Sequence, residues 1–163
     1  MEPEEGKGVL VLGLGNYLLS DEGVGVHVAN ELLRMSLPAG VEVIDGGTGG
    51  FELLRHAHGK RKVIIIDCLN AVAPAGTIAR LELDELESHV VRQFSPHQGG
   101  VHDLVAFLRA LSPAPEVLVY GIVPAVADSF STDLSPAVQA QIPRLISLVL
   151  EGLKEERTLA ADR

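Results

Sequence analysis

The stretch GVLVLGLGNYLLSDEGVGVHVANELLRM, residues 8–35, decides the fold. Its first eight residues are a short apolar run closed by glycines, the pattern of a strand buried on both faces. From residue 21 to 35 the period changes. Val24, Val28, Leu32 and Met35 fall on one side, and His27, Glu31 and Arg34 on another, which predicts an amphipathic helix. A buried strand followed by a loop and a helix is the opening of an α/β chain.

The rest of the chain repeats the alternation. VEVID (41–45) and KVIIID (62–67) read as strands, the second with a solid β-branched core. TIARLEL (77–83) alternates in part and is expected at an edge. GGVHDLVAFLRAL (99–111) is helical, with Val101, Leu104, Val105, Leu108 and Leu111 on the inner stripe. EVLVYGI (116–122) is a further strand. SPAVQAQIPRLISLVLEGLKEE (135–156) is a long amphipathic helix that tolerates Pro136 near its start, while Pro143 should kink or split it. The order βαβαββαβα predicts an α/β three-layer sandwich: a twisted, mostly parallel five-stranded sheet with helices on both faces. The 163 residues are expected to form a single domain, with residues 1–7 and 157–163 frayed.

Composition narrows the function. Apolar residues are 47% and charged residues 21%, as in a packed globular domain. The net charge of −9, with 22 acidic against 13 basic residues, and the absence of a Lys/Arg cluster argue against a nucleic-acid partner. The single cysteine, Cys68, excludes an internal disulfide and a multi-cysteine zinc site. The N-terminus MEPEEGKG is acidic and lacks a signal-peptide core, and the run VIIIDCLNAVAPAG (63–76) is broken by Asp67, Asn70 and Pro74. No membrane association and a cytoplasmic location are the expectation.

In open α/β sheets ligands bind at the carboxyl ends of the strands. The residues expected there are Asn16 to Glu22, Asp45 to Gly50 and Asp67 to Asn70, with FSPHQGG (94–100) placed to reach the same rim ahead of its helix. Glu22, Asp45, Asp67 and His97 are therefore candidates to converge on one crevice. Each has a plainer reading. Asp21 and Glu22 open a helix, where acids cap and complement the dipole, but one acid suffices for that and there are two. Asp45 precedes GGTGG, and Gly46, Gly47 and Thr48 are candidate substrate-binding residues, through backbone N–H groups open to a carbonyl or carboxylate. The same segment also reads as a flexible turn, with Thr48 capping a short helix at 51–57. Asp67 ends a strand buried on both faces, so its carboxylate must be paired, bound to metal or turned to a cleft. Cys68 reads as a small buried hydrophobe.

His97 and His102 lie five apart, about 140° around a helix, and cannot share a metal from one regular face. His102 falls with Ala106 and Arg109 off the apolar stripe, so it is expected at the surface. His97 stays in the loop. His27, His56, His58 and His89 are read as solvated. Ligands of type O, O, N suit a borderline divalent ion such as nickel or zinc. A dinucleotide fingerprint fails, because its third glycine is replaced by Leu18 and Asp45 lies too far downstream.

VLGLGNYLLSDEGVGV, VEVIDGGTGGFELL, VIIIDCLNAVAPAGT, FSPHQGG and VYGIVPAVADSFSTDLSPAV, in this order over residues 8–152, resemble the hydrogenase maturation endopeptidases. The resemblance implies an endopeptidase that removes a C-terminal extension from the large-subunit precursor of a nickel–iron hydrogenase. That precursor is the expected transient partner, already loaded with nickel. It also implies a metal site of Glu22, Asp67 and His97, with nickel supplied by the precursor and zinc or cadmium able to substitute in vitro. Asp45 matches an acid implicated in activity or substrate recognition and is the candidate catalytic residue, orienting water or acting as base. An aspartic-type or metal-assisted mechanism with water as nucleophile follows. The family's acid after the proline in its GxxPE segment is replaced here by Ala125, a change expected to bear on partner contacts. Two rivals remain from the residues: a non-catalytic nickel-binding accessory protein, and a peptidyl-tRNA hydrolase, whose start GLGN also resembles but whose tRNA substrate the acidic charge disfavours.

Overall fold

The computed structural model describes residues 8–82, Glu85 and residues 101–155. Five strands form one sheet: β1 Gly8–Leu14, β2 Val41–Gly47, β3 Lys60–Cys68, β4 Ile78–Glu82 and β5 Glu116–Ile122, in the spatial order β2-β1-β3-β5-β4. All neighbouring pairs are parallel except β4 with β5. The partly alternating segment thus becomes the antiparallel edge strand. The expected fraying of 1–7 and 157–163, and the loop carrying His97, lie outside the described residues, as does His89.

Helices cover both faces. α1 (Val24–Leu33), α4 (Pro136–Gln139) and α5 (Ile142–Lys154) pack with Val9, Val11, Ile64 and Ile66 through Val24, Val28, Leu32, Val138, Leu145 and Val149. α2 (Leu54–Ala57) and α3 (Val101–Ala110) pack with Leu10, Leu12, Val63 and Ile65 through Ala57, Leu104 and Leu108. The β-branched run Val63–Ile66 serves both layers and is fully buried. Each of its isoleucines contributes about 1.5–3 kcal/mol by leaving water, so β3 is the strand on which the two layers depend. Among the described residues no helix is long and apolar enough to cross a membrane.

The split expected at Pro143 is present, whereas the helix expected from residue 21 begins later. The helix read over 135–156 is divided: α4 ends at Gln139 and α5 begins at Ile142, one residue before Pro143. Pro143 lacks an N–H, and the first turn of a helix is where that loss costs nothing. Ser135 caps the first piece, accepting from the Val138 N–H at 3.4 Å. The helix read from residue 21 starts at Val24, after a 3-10 turn at Ser20–Gly23.

After β1 the chain crosses to β2 on one side of it, and after β2 it crosses back to β3 on the other. The connections leave β1 and β3 in opposite directions, so a crevice opens above the carboxyl ends of these two strands.

Candidate functional site

Glu22 and Asp67 meet at that crevice. Asp67 is the penultimate residue of β3 and is 3% exposed. Glu22 sits in the 3-10 turn after β1 and is 7% exposed. Burial pushes the Asp67 carboxyl up to about 7; the Cys68 N–H that it accepts at 2.7 Å opposes this, and the Glu22 carboxylate beside it adds to it.

Glycines let the turn come this close. Gly15 has φ +128°, and a Cβ there would stand 1.8 Å from the Glu22 carbonyl oxygen. Gly25, at the start of α1, is pressed against Leu14 and Ile66: a Cβ would fall 2.2 Å from the Ile66 oxygen. The spaced glycines of GLGN and DEGVG therefore permit backbone-on-backbone packing of helix start against strand ends. In the sequence Gly13 and Gly15 mark only where the apolar run closes; the close backbone approach appears in the fold.

Asp21 resolves the question of the paired acids. Neither acid caps the turn or α1 through its side chain. Asp21 is wholly buried and accepts four hydrogen bonds from a distant segment: Ala125 N–H and Val126 N–H at 2.9 Å, and Ser135 N–H and Oγ–H at 2.7 Å. Its carboxylate clamps the loop after β5 to the turn that carries Glu22. The clamp is reinforced at Ser20, whose φ of +50° is strained for a non-glycine residue. Ser20 donates its N–H to Ser131 O at 2.8 Å and its hydroxyl to Asp133 O at 2.9 Å. Sequence reasoning missed this role because the partners lie more than a hundred positions away.

Asp45 lies apart from the pair. Gly13 of β1 is flanked by Asp45 on β2 and Ile66 on β3, which places Asp45 two strands, or about 10 Å, from that level of β3. Asp45 is exposed and accepts from Asn30 Nδ2 of α1 at 3.2 Å. It belongs to a groove of about 320 Å³ lined by Tyr17, His27, Asn30, Glu31 and Arg34 among others. Convergence of all four candidates on one crevice is thus narrowed: the structure joins Glu22 with Asp67 and sets Asp45 in the neighbouring groove.

The segment after Asp45 is partly used by the fold. Gly47 O accepts the Gly15 N–H at 2.8 Å, and the Gly49 N–H donates to Gly46 O at 2.8 Å. Gly46 is buried and Thr48 exposed. Thr48 does not cap the next element, a 3-10 turn at Phe51–Leu53 that leads into α2; Gly50 holds the cap position without a side-chain bond.

His102 is exposed on α3, as its phase predicted. His58 is exposed too, but two histidines read as solvated are not. His27 is half-buried against the Tyr17 ring, with centroids 5.0 Å apart, and His56 bonds Glu42 at 3.0 Å. Cys68 is buried, and burial, followed by the carboxylates of Asp67, Glu22 and Asp21, pushes its thiol far up. A thiolate nucleophile is incompatible with that setting. Among the described residues no group of three or more His, Cys, Asp and Glu is set to hold a metal. The crevice supplies two carboxylates, and the third expected ligand, His97, falls outside them.

Comparison with known proteins follows the same lines. The family model described as hydrogenase maturation protease matches residues 26–152. The hydrogenase 2 maturation protease of Escherichia coli is 36% identical over 158 residues, covering 95% of this chain and 96% of its own. The hydrogenase expression/formation protein HupM of Azotobacter chroococcum is 34% identical, covering 95% and 76%. Among solved structures, the hydrogenase maturating endopeptidase HybD of E. coli superposes with a TM-score of 0.81 at 34% identity, over 90% of this chain and 92% of that one. A hydrogenase 2 maturation peptidase from a Thaumarchaeota archaeon gives 0.69 at 34% identity, over 92% and 100%.

Proposed function

This chain belongs to the hydrogenase maturation protease family and is an endopeptidase, and from that premise we propose that it cuts a C-terminal extension from the nickel-loaded large-subunit precursor of a nickel–iron hydrogenase, in the cytoplasm. The observation that carries the reading is the buried pair of carboxylates, Glu22 and Asp67, at the switch point of the sheet.

Two neighbouring acids in a dry crevice cannot both stay ionised cheaply. A proton or a cation relieves them, and carboxylate oxygens beside an imidazole suit a borderline divalent ion. Glu22 and Asp67, with His97 as the nitrogen ligand, would complete the coordination of nickel that the precursor brings as cargo. Bound there, the ion supplies a check that the precursor is loaded and a Lewis acid for the scissile carbonyl.

The other steps fall to the protein. Asp21 holds the turn bearing Glu22 in place. Asp45 is steered by Asn30 and faces solvent, so it acts on a substrate segment lying across the end of β1. There it orients or deprotonates the attacking water. Thr48 offers an exposed hydroxyl to the same segment. Water is the nucleophile, since the buried, protonated Cys68 is not available for attack.

The test is mass measurement of nickel-loaded precursor incubated with this protein, with nickel-free precursor as control. Loss of a C-terminal peptide from the loaded form alone is expected. His97→Ala should abolish processing and His102→Ala leave it near normal. Processing by a correctly folded His97→Ala variant would overturn the ligand assignment, and binding without cleavage would favour an accessory role.

A further inference from the structure

Next to the crevice lies an exposed apolar patch that the catalytic reading does not use. Phe130 is 89% exposed, Leu18 56% and Val126 37%. They come from two loops, after β1 and after β5, that are laced together. Leu19 and Ser131 form an isolated parallel bridge, the Ser131 N–H donates to Leu18 O at 3.0 Å, and the Asp21 N–H donates to Val126 O at 2.9 Å. Leu18 and Phe130 each stand one residue before a bridge partner, and in a parallel ladder such neighbours share a side.

We propose that Leu18, Val126 and Phe130 form the docking surface for the folded body of the protein substrate, a partner with an apolar contact and a basic rim. The proposal rests on the processing reading above. The patch and the crevice share one turn: Leu18 stands four residues before Glu22, whose N–H donates to Leu19 O at 3.1 Å. A precursor that presents its metal to Glu22 brings the protein around that metal close to the turn that carries Leu18.

Size and charge select the occupant. The three side chains expose roughly 350 Å², within the range of functional patches on monomers but under half of the ~800 Å² per partner of a standard stable interface. That favours a transient protein partner over a permanent second copy. Asp128 and Asp133 stand exposed in the same loop, and neither is paired with a cation among the described residues. With a net charge of −9 on the chain, a basic rim on the partner is the complementary choice.

The experiment compares wild type with Leu18→Asp, Phe130→Asp and, as control, Leu33→Asp. Leu33 is an exposed apolar residue at the far end of α1. Affinity for nickel-loaded precursor from the same organism is measured alongside its cleavage, with melting temperature as a fold check. Affinity should fall about tenfold or more in each patch variant, appearing in cleavage as a raised KM with kcat within about twofold. Leu33→Asp should match wild type. If both patch variants bind as wild type does, the docking proposal is overturned, whatever the cleavage result. If the wild type binds without cutting and the variants lose binding, the patch stands and the endopeptidase reading of the site falls. If the wild type neither binds nor cuts, both fall. Sedimentation covers the remaining occupant: a wild-type dimer dissociated by Phe130→Asp would assign the patch to a second copy and overturn the proposal.

Discussion

Strand β3 carries a buried charge near each end. Lys62 and Asp67 are five residues, or roughly 17 Å, apart on one strand. Lys62 is 0% exposed, and its ammonium is surrounded by acceptors: Gly152 O at 2.8 Å, Glu155 O at 3.0 Å and the Glu116 carboxylate at 3.5 Å. The two carbonyls belong to the end of α5, where the last carbonyls of a helix lack intrahelical partners. Lys62 thus ties the C-terminal helix to the sheet. Asp67 has the opposite surroundings: one backbone N–H and a second carboxylate. The amino end surrounds its charge with acceptors from the chain itself, whereas at the carboxyl end burial and the Glu22 carboxylate both make Asp67 harder to ionise. A buried ion with its partners built in stabilises a fold. A buried like-charged pair costs stability, and that cost makes sense where something must bind.

The strongest test of this contrast acts on the carboxyl end. Glu22→Gln should lower processing of nickel-loaded precursor by about 100-fold or more, near 3 kcal/mol of transition-state stabilisation, with melting temperature kept or raised. Wild-type rates from this variant would mean the pair is not the site. Next in size is Lys62→Met. It strands two carbonyls and Glu116, and should lower unfolding free energy by about 2–4 kcal/mol in a denaturant titration. The activity of the molecules that remain folded should not change; a fall in kcat at full folding would erase the distinction between the ends.

The smallest effect is in pH. Asp67 titrates near 7 in the folded metal-free protein against a reference value of 3.8. Between these values the native state holds more protons than the unfolded one, so stability falls as pH rises through that window and levels off above it. Asp67→Asn removes the titration. Metal-free wild type should lose thermal stability from about pH 4 to pH 7 relative to the variant, by about 1–3 kcal/mol after relaxation. Parallel pH curves for the two proteins would show that Asp67 is not the strained acid.

Much of this was legible in the residues. VLVL before a glycine turn and VIII before Asp67 announce strands buried on both faces, because nothing polar interrupts them. The alternation with helical periods then leaves few topologies besides a parallel sheet with helices on each side. The strand-end position of Asp67 and the loop position of Glu22 follow from that order. Other features were hidden. KRKV reads as a charged strand start, and only the packing of α5 makes Lys62 the most buried charge in that segment. His27 follows the polar phase of α1, yet Tyr17 comes back over it.

The sequence by itself determined the layers, the order of elements and the rim on which the acids stand, since burial periodicity and glycine placement are local properties. Tertiary structure decided which acid does what. Asp21 and Glu22 are adjacent and chemically alike. One accepts from donors of residues 125, 126 and 135, and the other stands beside Asp67. That division depends on hydrogen bonds between segments more than a hundred residues apart, and no local pattern encodes a contact of that range.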